Sequence, residues 1–138
     1  MAARARNILV GYDGSEAARR ALDAAADLTG YGSSLAVVSV ASRPDDLPSN
    51  GPAALDGHVS ARRLLGEARG LLHRRHITAR YLEPVGEPAE ILMEIARELD
   101  ADLIVVGRRD QNPVGRMVLG SVSTKVVNRA LCDVLVVS

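Results

Sequence analysis

Tryptophan and phenylalanine are absent and tyrosine occurs three times, so the chain has almost no flat rings on which the bases of a single strand would stack. A surplus of one charge is lacking too. Seventeen basic residues face 17 acidic ones, and no overall field draws the protein to nucleic acid or to an anionic membrane. No nucleic acid and no membrane is therefore expected as a partner. Cysteine is reduced to Cys132, which excludes an internal disulfide and a multi-cysteine metal site. A small buried apolar role in a reducing, cytoplasmic setting is the plain expectation for it. No apolar run approaches the roughly 18 residues of a membrane span, and the apolar part of MAARARNILVGYDG is too short for a secretory signal.

Three phosphate-handling motifs are missing as well. Lysine occurs once, as Lys125, and no GxxxxGK[ST] string exists, which excludes a P-loop nucleotidase. No G-x-G-x-x-G follows the first strand, so a dinucleotide site lacks its turn. Asp13 has neither the acidic neighbour nor the lysine near the last strand that a phosphoacceptor of the receiver type would want.

What is present has a regular order. The chain has 138 residues, 47% of them hydrophobic, enough for one compact domain over 1–138. Short apolar runs alternate with segments of helical spacing, the pattern of β-α-β units around an open parallel sheet with helices on both faces. Five strands are predicted, at Asn7 to Tyr12, Leu35 to Val40, Ile77 to Glu83, Asp102 to Val106 and Val134 to Val137. The third alternates Ile77, Ala79 and Tyr81 with wetter residues and reads as an edge; the fifth, added last, reads as the other edge.

Four helices are expected between the strands. One runs from Ser15, its N-cap, to Leu28, burying Ala18, Ala21, Leu22 and Ala25, with Gly30 or Gly32 as its stop. The second, Val59 to Arg75, turns Leu64, Leu65, Ala68 and Leu72 inward and an arginine-rich face to solvent. His58, His73 and His76 lie near it without metal-ligand spacing. The third, Pro88 to Leu99, starts with proline where no amide hydrogen is needed. The fourth begins at Ser121 and is expected to bury Val122, Val126, Val127, Ala130 and Leu131. Ahead of the second helix lies SRPDDLPSNGPAALDG, a lid or a tolerated insertion.

In such a sheet ligands collect at the carboxyl ends of the strands, where strand order reverses. If the first and fourth strands are neighbours, Asp13 and Gly107 flank one crevice. The stretch GRRDQNPVGRMVLGS, residues 107–121, then leads into the amino end of the last helix, where unpaired amides and the helix dipole favour an anion. Taken alone, Gly-Ser before a helix is more often just a cap.

The strings NILVGYDGSEAARRALDAAADL, VGEPAEILMEIARELDADLIVVG and GRMVLGSVSTKVVNRALCDVLVVS together resemble a universal stress protein over nearly the whole chain. The resemblance implies a five-stranded α/β fold, a dimer, and in one branch of the family ATP binding through G-x2-G-x9-G-[ST]. By position it implies Gly11 and Asp13 beside the ribose or adenine and a backbone contact to adenine from Val40. It further implies that Gly107 opens the phosphate loop and that Gly120, Ser121, Val122 and Ser123 close on the phosphates. The spacing from Gly107 to Gly120 is the family's own, but Asp110 stands where the second glycine belongs.

A residue other than glycine at positive φ costs about 1 to 2 kcal/mol, less for aspartate. Its carboxylate repels phosphate by about 1 kcal/mol in water and about 4 at an effective dielectric of 20. Arg108 and Arg109, or a bound Mg²⁺, would offset that repulsion. The expectation is a stress-response module that binds ATP or AMP weakly through a degenerate loop; alternatively, Asp110 closes the site and leaves a nucleotide-free dimeric interaction protein. Hydrolysis beyond slow turnover is not expected, Asp13 and Asp110 being the only candidate bases. The apolar edge formed by Val134 to Val137 is expected to pair with a second copy as a homodimer.

Overall fold

A computed structural model describes residues 6–41, 53–108 and 121–138, with only the backbone course for 53–60 and Ser121. Its elements are β1 (Asn7–Gly11), α1 (Glu16–Leu28), β2 (Ser34–Val38), α2 (Ala53–Arg74), β3 (Arg80–Leu82), α3 (Pro88–Glu98), β4 (Leu103–Gly107), α4 (Ser121–Arg129) and β5 (Asp133–Val137). The strands form one parallel sheet in the order β3-β2-β1-β4-β5. The first and fourth strands are thus neighbours, as supposed above, and the third and fifth are the edges that the patterns predict.

Each face of the sheet carries its own core. Ile8, Val10, Leu35, Val37, Leu103 and Val105 point to α1 and α2, whose buried stripe includes Ala21, Leu22, Ala25, Leu65, Ala68 and Leu72. Leu9, Ala36, Val38, Ile104 and Val106 point to α3 and α4, meeting Leu92, Ile95 and Val126. The central strands are buried on both sides, which is why they read as continuous runs of Val, Ile and Leu. The N-cap expected at Ser15 is there, its hydroxyl accepting the Ala18 amide at 3.1 Å.

Several expectations need correction. β3 has three residues rather than seven, because the turn after α2 needs the first ones: His76 adopts φ 58 and the Ile77 amide bonds to Leu72. Ile77 and Ala79 still pack, half-buried, against the core, so their alternation reflects burial and not pairing. α2 begins at Ala53, six residues before Val59, so the helix takes up part of the long connection; residues 42–52 lie outside the described residues. α1 stops not at a glycine but at Thr29, whose hydroxyl bonds to Ala25 at 2.7 Å.

The fourth helix departs most. It is nine residues long and buries Val126, with Val122 and Ala130 half-buried. Val127 is 46% exposed and Leu131 94%, against the expected burial. Val127 lies one position round the helix from the seam, and Leu131 falls beyond the helix end.

Candidate functional site

Because β1 and β4 lie side by side while their following helices pack on opposite faces, a cleft opens at the carboxyl ends of these strands. It holds a cavity of about 170 Å³. Gly11, Val106 and Gly107 form its base, and Tyr12, Asp13 and Leu64 stand on one side. Val40 closes one end, and Pro88, Val122 and Ser123 form the opposite wall. Six of the expected site residues, Gly11, Asp13, Val40, Gly107, Val122 and Ser123, are thus brought together. Ser121 starts α4 beside them. Arg109, Asp110 and Gly120 lie outside the described residues, as does the rest of the stretch 109–120.

The turn carrying Asp13 is locally determined. Asp13 Oδ1 accepts the Ser15 amide at 3.0 Å, and Gly14 adopts φ 82, a conformation that favours glycine. A Cβ on Gly14 would also lie 2.5 Å from Leu64 Cδ2. Asp13 is therefore held at the mouth, exposed, with the Leu64 side chain packed over the turn behind it.

Gly107 has a second reason to be glycine. It is the last residue of β4, paired with Val137, and a Cβ there would come within 2.5 Å of the Ala17 carbonyl carbon and 2.6 Å of the Ala18 nitrogen. The backbone of α1 rests directly on it. The glycine that opens the loop also lets the first helix reach the sheet.

With fold and crevice in place, the chain compares closely with known proteins. Residues 4–138 match the universal stress protein family. The chain belongs to that family. A universal stress protein of Thermus aquaticus is 38% identical over 136 residues, covering 96% of this chain and 98% of the relative. One from Mycobacterium tuberculosis is 30% identical over 141 residues, covering 96% and 95%. A solved universal stress protein in complex with cAMP is 30% identical, superposes with a TM-score of 0.73, and is covered over 97% of its length by 96% of this chain.

In this family member the side of the crevice away from α4 is braced by a group that pattern reading overlooked. Tyr12, 3% exposed, donates its hydroxyl to Glu67 Oε1 at 2.6 Å, and Arg19 binds the same oxygen at 2.8 Å. Burial first, and the Glu67 carboxylate second, push the Tyr12 hydroxyl up to about 12. The same hydrogen bond, aided by Arg19, holds Glu67 below the usual carboxylate range. Leu64 and Pro88 escape pattern reading as crevice residues because each also fits a stripe or cap pattern, and only strand order reveals the shared cavity. Among the described residues no cluster of His, Cys, Asp or Glu is arranged to hold a metal, and no helix is long and apolar enough to cross a membrane.

Proposed function

We propose that this chain is a non-catalytic adenine-nucleotide-binding module of the stress response, working in the cytoplasm, that takes ATP or AMP in the crevice between β1 and β4. The observation carrying the reading is the convergence of Asp13, Val40, Gly107 and the first turn of α4 on one cavity. The cAMP-bound relative, 30% identical over nearly all of this chain, supports adenine nucleotides as the ligand class. The amino end of α4 offers amides and positive potential to the anionic tail, and Asp13, at the mouth of the cavity, is read as lying on the ribose or adenine side. Asp13 already holds the Ser15 amide, which favours a binding role over a catalytic one.

Asp110, which stands in the sequence where the family motif has its second glycine, is read as setting a preference for fewer phosphates than three, relieved by Arg108, Arg109 or Mg²⁺. Thermal shift with adenosine, AMP, cAMP, ADP and Mg-ATP tests this. A ligand at a hundred times its Kd adds about 2.7 kcal/mol, or about 5 to 11 °C. Asp110→Gly is expected to tighten ATP. No shift with any ligand refutes the reading and leaves the nucleotide-free interaction protein.

We also propose a homodimer through β5. Its outer edge has no partner strand among the described residues, and Leu135 is 37% exposed there. Light scattering that returns a monomeric mass across micromolar concentrations would refute it.

A further inference from the structure

Lys125 is the only lysine in a chain with 17 basic residues, and the fold puts it where one cation can meet two competing anions. It lies four residues past Ser121 on α4, about one helical turn along the same face. Side chains on a helix lean toward its amino end, so the Lys125 stem runs back over the first turn of α4. The far end of that stem is located by its partner. Nζ is 3.4 Å from Oε1 of Glu87, the residue that caps α3. Pro88, next in the chain, stands in the crevice wall with Val122 and Ser123. The ammonium is therefore beside the cap of α3, one residue along the chain from the crevice wall at Pro88, and 45% exposed.

The carboxylate it faces is already engaged. Glu87 Oε2 accepts the Glu90 amide at 2.9 Å, which commits one oxygen to α3. The contact of Oε1 with Lys125, at 3.4 Å, is longer than the roughly 2.7 to 2.9 Å of a strong charge-assisted bond. A loose and exposed pair of this kind contributes little to stability. A phosphate tail on the amino end of α4 would carry more charge and less prior commitment, and the lysine has a flexible stem with which to turn to it.

Resting on the nucleotide reading above, we infer that Lys125 reads the number of phosphates on the ligand, exchanging its contact with Glu87 for the anionic tail. Glu87 is then a built-in competitor. It holds the lysine back, and it sets its own negative charge beside the tail. A merely structural clasp between α3 and α4 has a different signature, because loss of either partner would loosen the wall for every ligand.

The experiment is calorimetric titration of adenosine, AMP and ATP into the full chain and into Lys125→Met, Lys125→Arg and Glu87→Gln. Lys125→Met is expected to weaken ATP about tenfold and AMP less. Adenosine stays within about twofold, since it carries no charge to lose. Lys125→Arg restores most of the ATP affinity. Glu87→Gln acts in the opposite direction, tightening ATP about threefold. Added salt shrinks the differences between the variants.

The inference is overturned if Lys125→Met weakens adenosine and ATP alike or changes neither, or if Glu87→Gln fails to tighten ATP. Melting curves of each variant separate lost folding from lost charge, and Lys125→Arg with Glu87→Gln still decides the matter should the methionine variant not fold. Failure of the unaltered chain to bind adenosine or either nucleotide overturns the crevice reading itself, in an arm that involves no variant.

Discussion

The amino ends of α3 and α4 lie on the same face of the sheet, both at the carboxyl ends of its strands, yet the chain treats them differently. α3 is filled by its own anion: Glu87 caps it through the Glu90 amide. α1 is likewise satisfied from within, by the Ser15 hydroxyl. The residue before α4 is Gly120, which has no side chain to fold back onto the amides. Every helix has an amino end with unpaired donors. The preceding residue decides in part whether it can serve a ligand, and in the nucleotide reading proposed above that difference separates a wall from a binding position.

The most severe way to break the comparison is to move the floor beneath it. Gly107→Ala puts a Cβ 2.5 Å from the Ala17 backbone, where no side-chain rotation relieves the clash. A loss of about 3 kcal/mol is expected in urea unfolding, together with loss of nucleotide binding. Converting one helix end into the other is the next largest change. Gly120→Asp gives α4 an anion of its own, as α3 has, and should weaken ATP about a hundredfold by repulsion at the helix end while slightly raising the melting temperature. Unchanged ATP affinity in that variant would mean the tail does not sit there.

Tyr12→Phe serves as a control on the far wall. It removes a buried hydroxyl donated to Glu67, costing about 1.5 kcal/mol, and should spare discrimination by phosphate number. It also has a pH signature. The Tyr12 hydroxyl is raised from 10.0 to about 12, so the folded state holds this proton more tightly than the unfolded chain does. The resulting stability is complete below pH 10 and is lost as pH rises toward 12. Alkaline unfolding curves of the two proteins should converge in that window.

The smallest effect is at α3. Glu87→Ala opens the filled end and costs about 1 kcal/mol as a lost cap. Burial pushes the Glu87 carboxyl up, but the amides of Glu90 and Ala89 and the Lys125 ammonium outweigh it and hold the group below its ordinary 4.5. A carboxyl lowered on folding stabilises above its unfolded value, and that stability fades as pH falls through the folded one. The gap between the two proteins should therefore be widest near neutrality and close in acid; a gap that persists at low pH would show that Glu87 acts by packing alone.

Much of this was legible beforehand. Runs such as Leu103 to Val106 and stripes such as Ala18, Ala21, Leu22 and Ala25 announce buried strands and a helix face, because period and burial are local properties of a chain. The supposition that β1 and β4 are neighbours joins Asp13 to Gly107, the family resemblance adds Val40 and Ser123, and the fold brings all four to one cavity. The failures have a common physical source. Ile77 and Ala79 look like strand residues because they are half-buried at alternate positions, yet the turn at His76 denies them a ladder. Val127 and Leu131 look like core because they are apolar, yet Val127 lies one position round the helix from the packed seam and Leu131 falls beyond a helix that ends at Arg129.

The order of residues along the chain determined the alternation of strand and helix, the two-sided core and the position of the loop leading into α4, since each follows from periodicity and local capping. Only the tertiary structure decided that Leu64 covers the turn at Gly14, that the α1 backbone bears on Gly107, and that Lys125 stands opposite Glu87. Those contacts join residues from elements far apart in sequence. Their distances are set by how helices seat on a twisted sheet, a sum over the whole packed core that no local pattern contains.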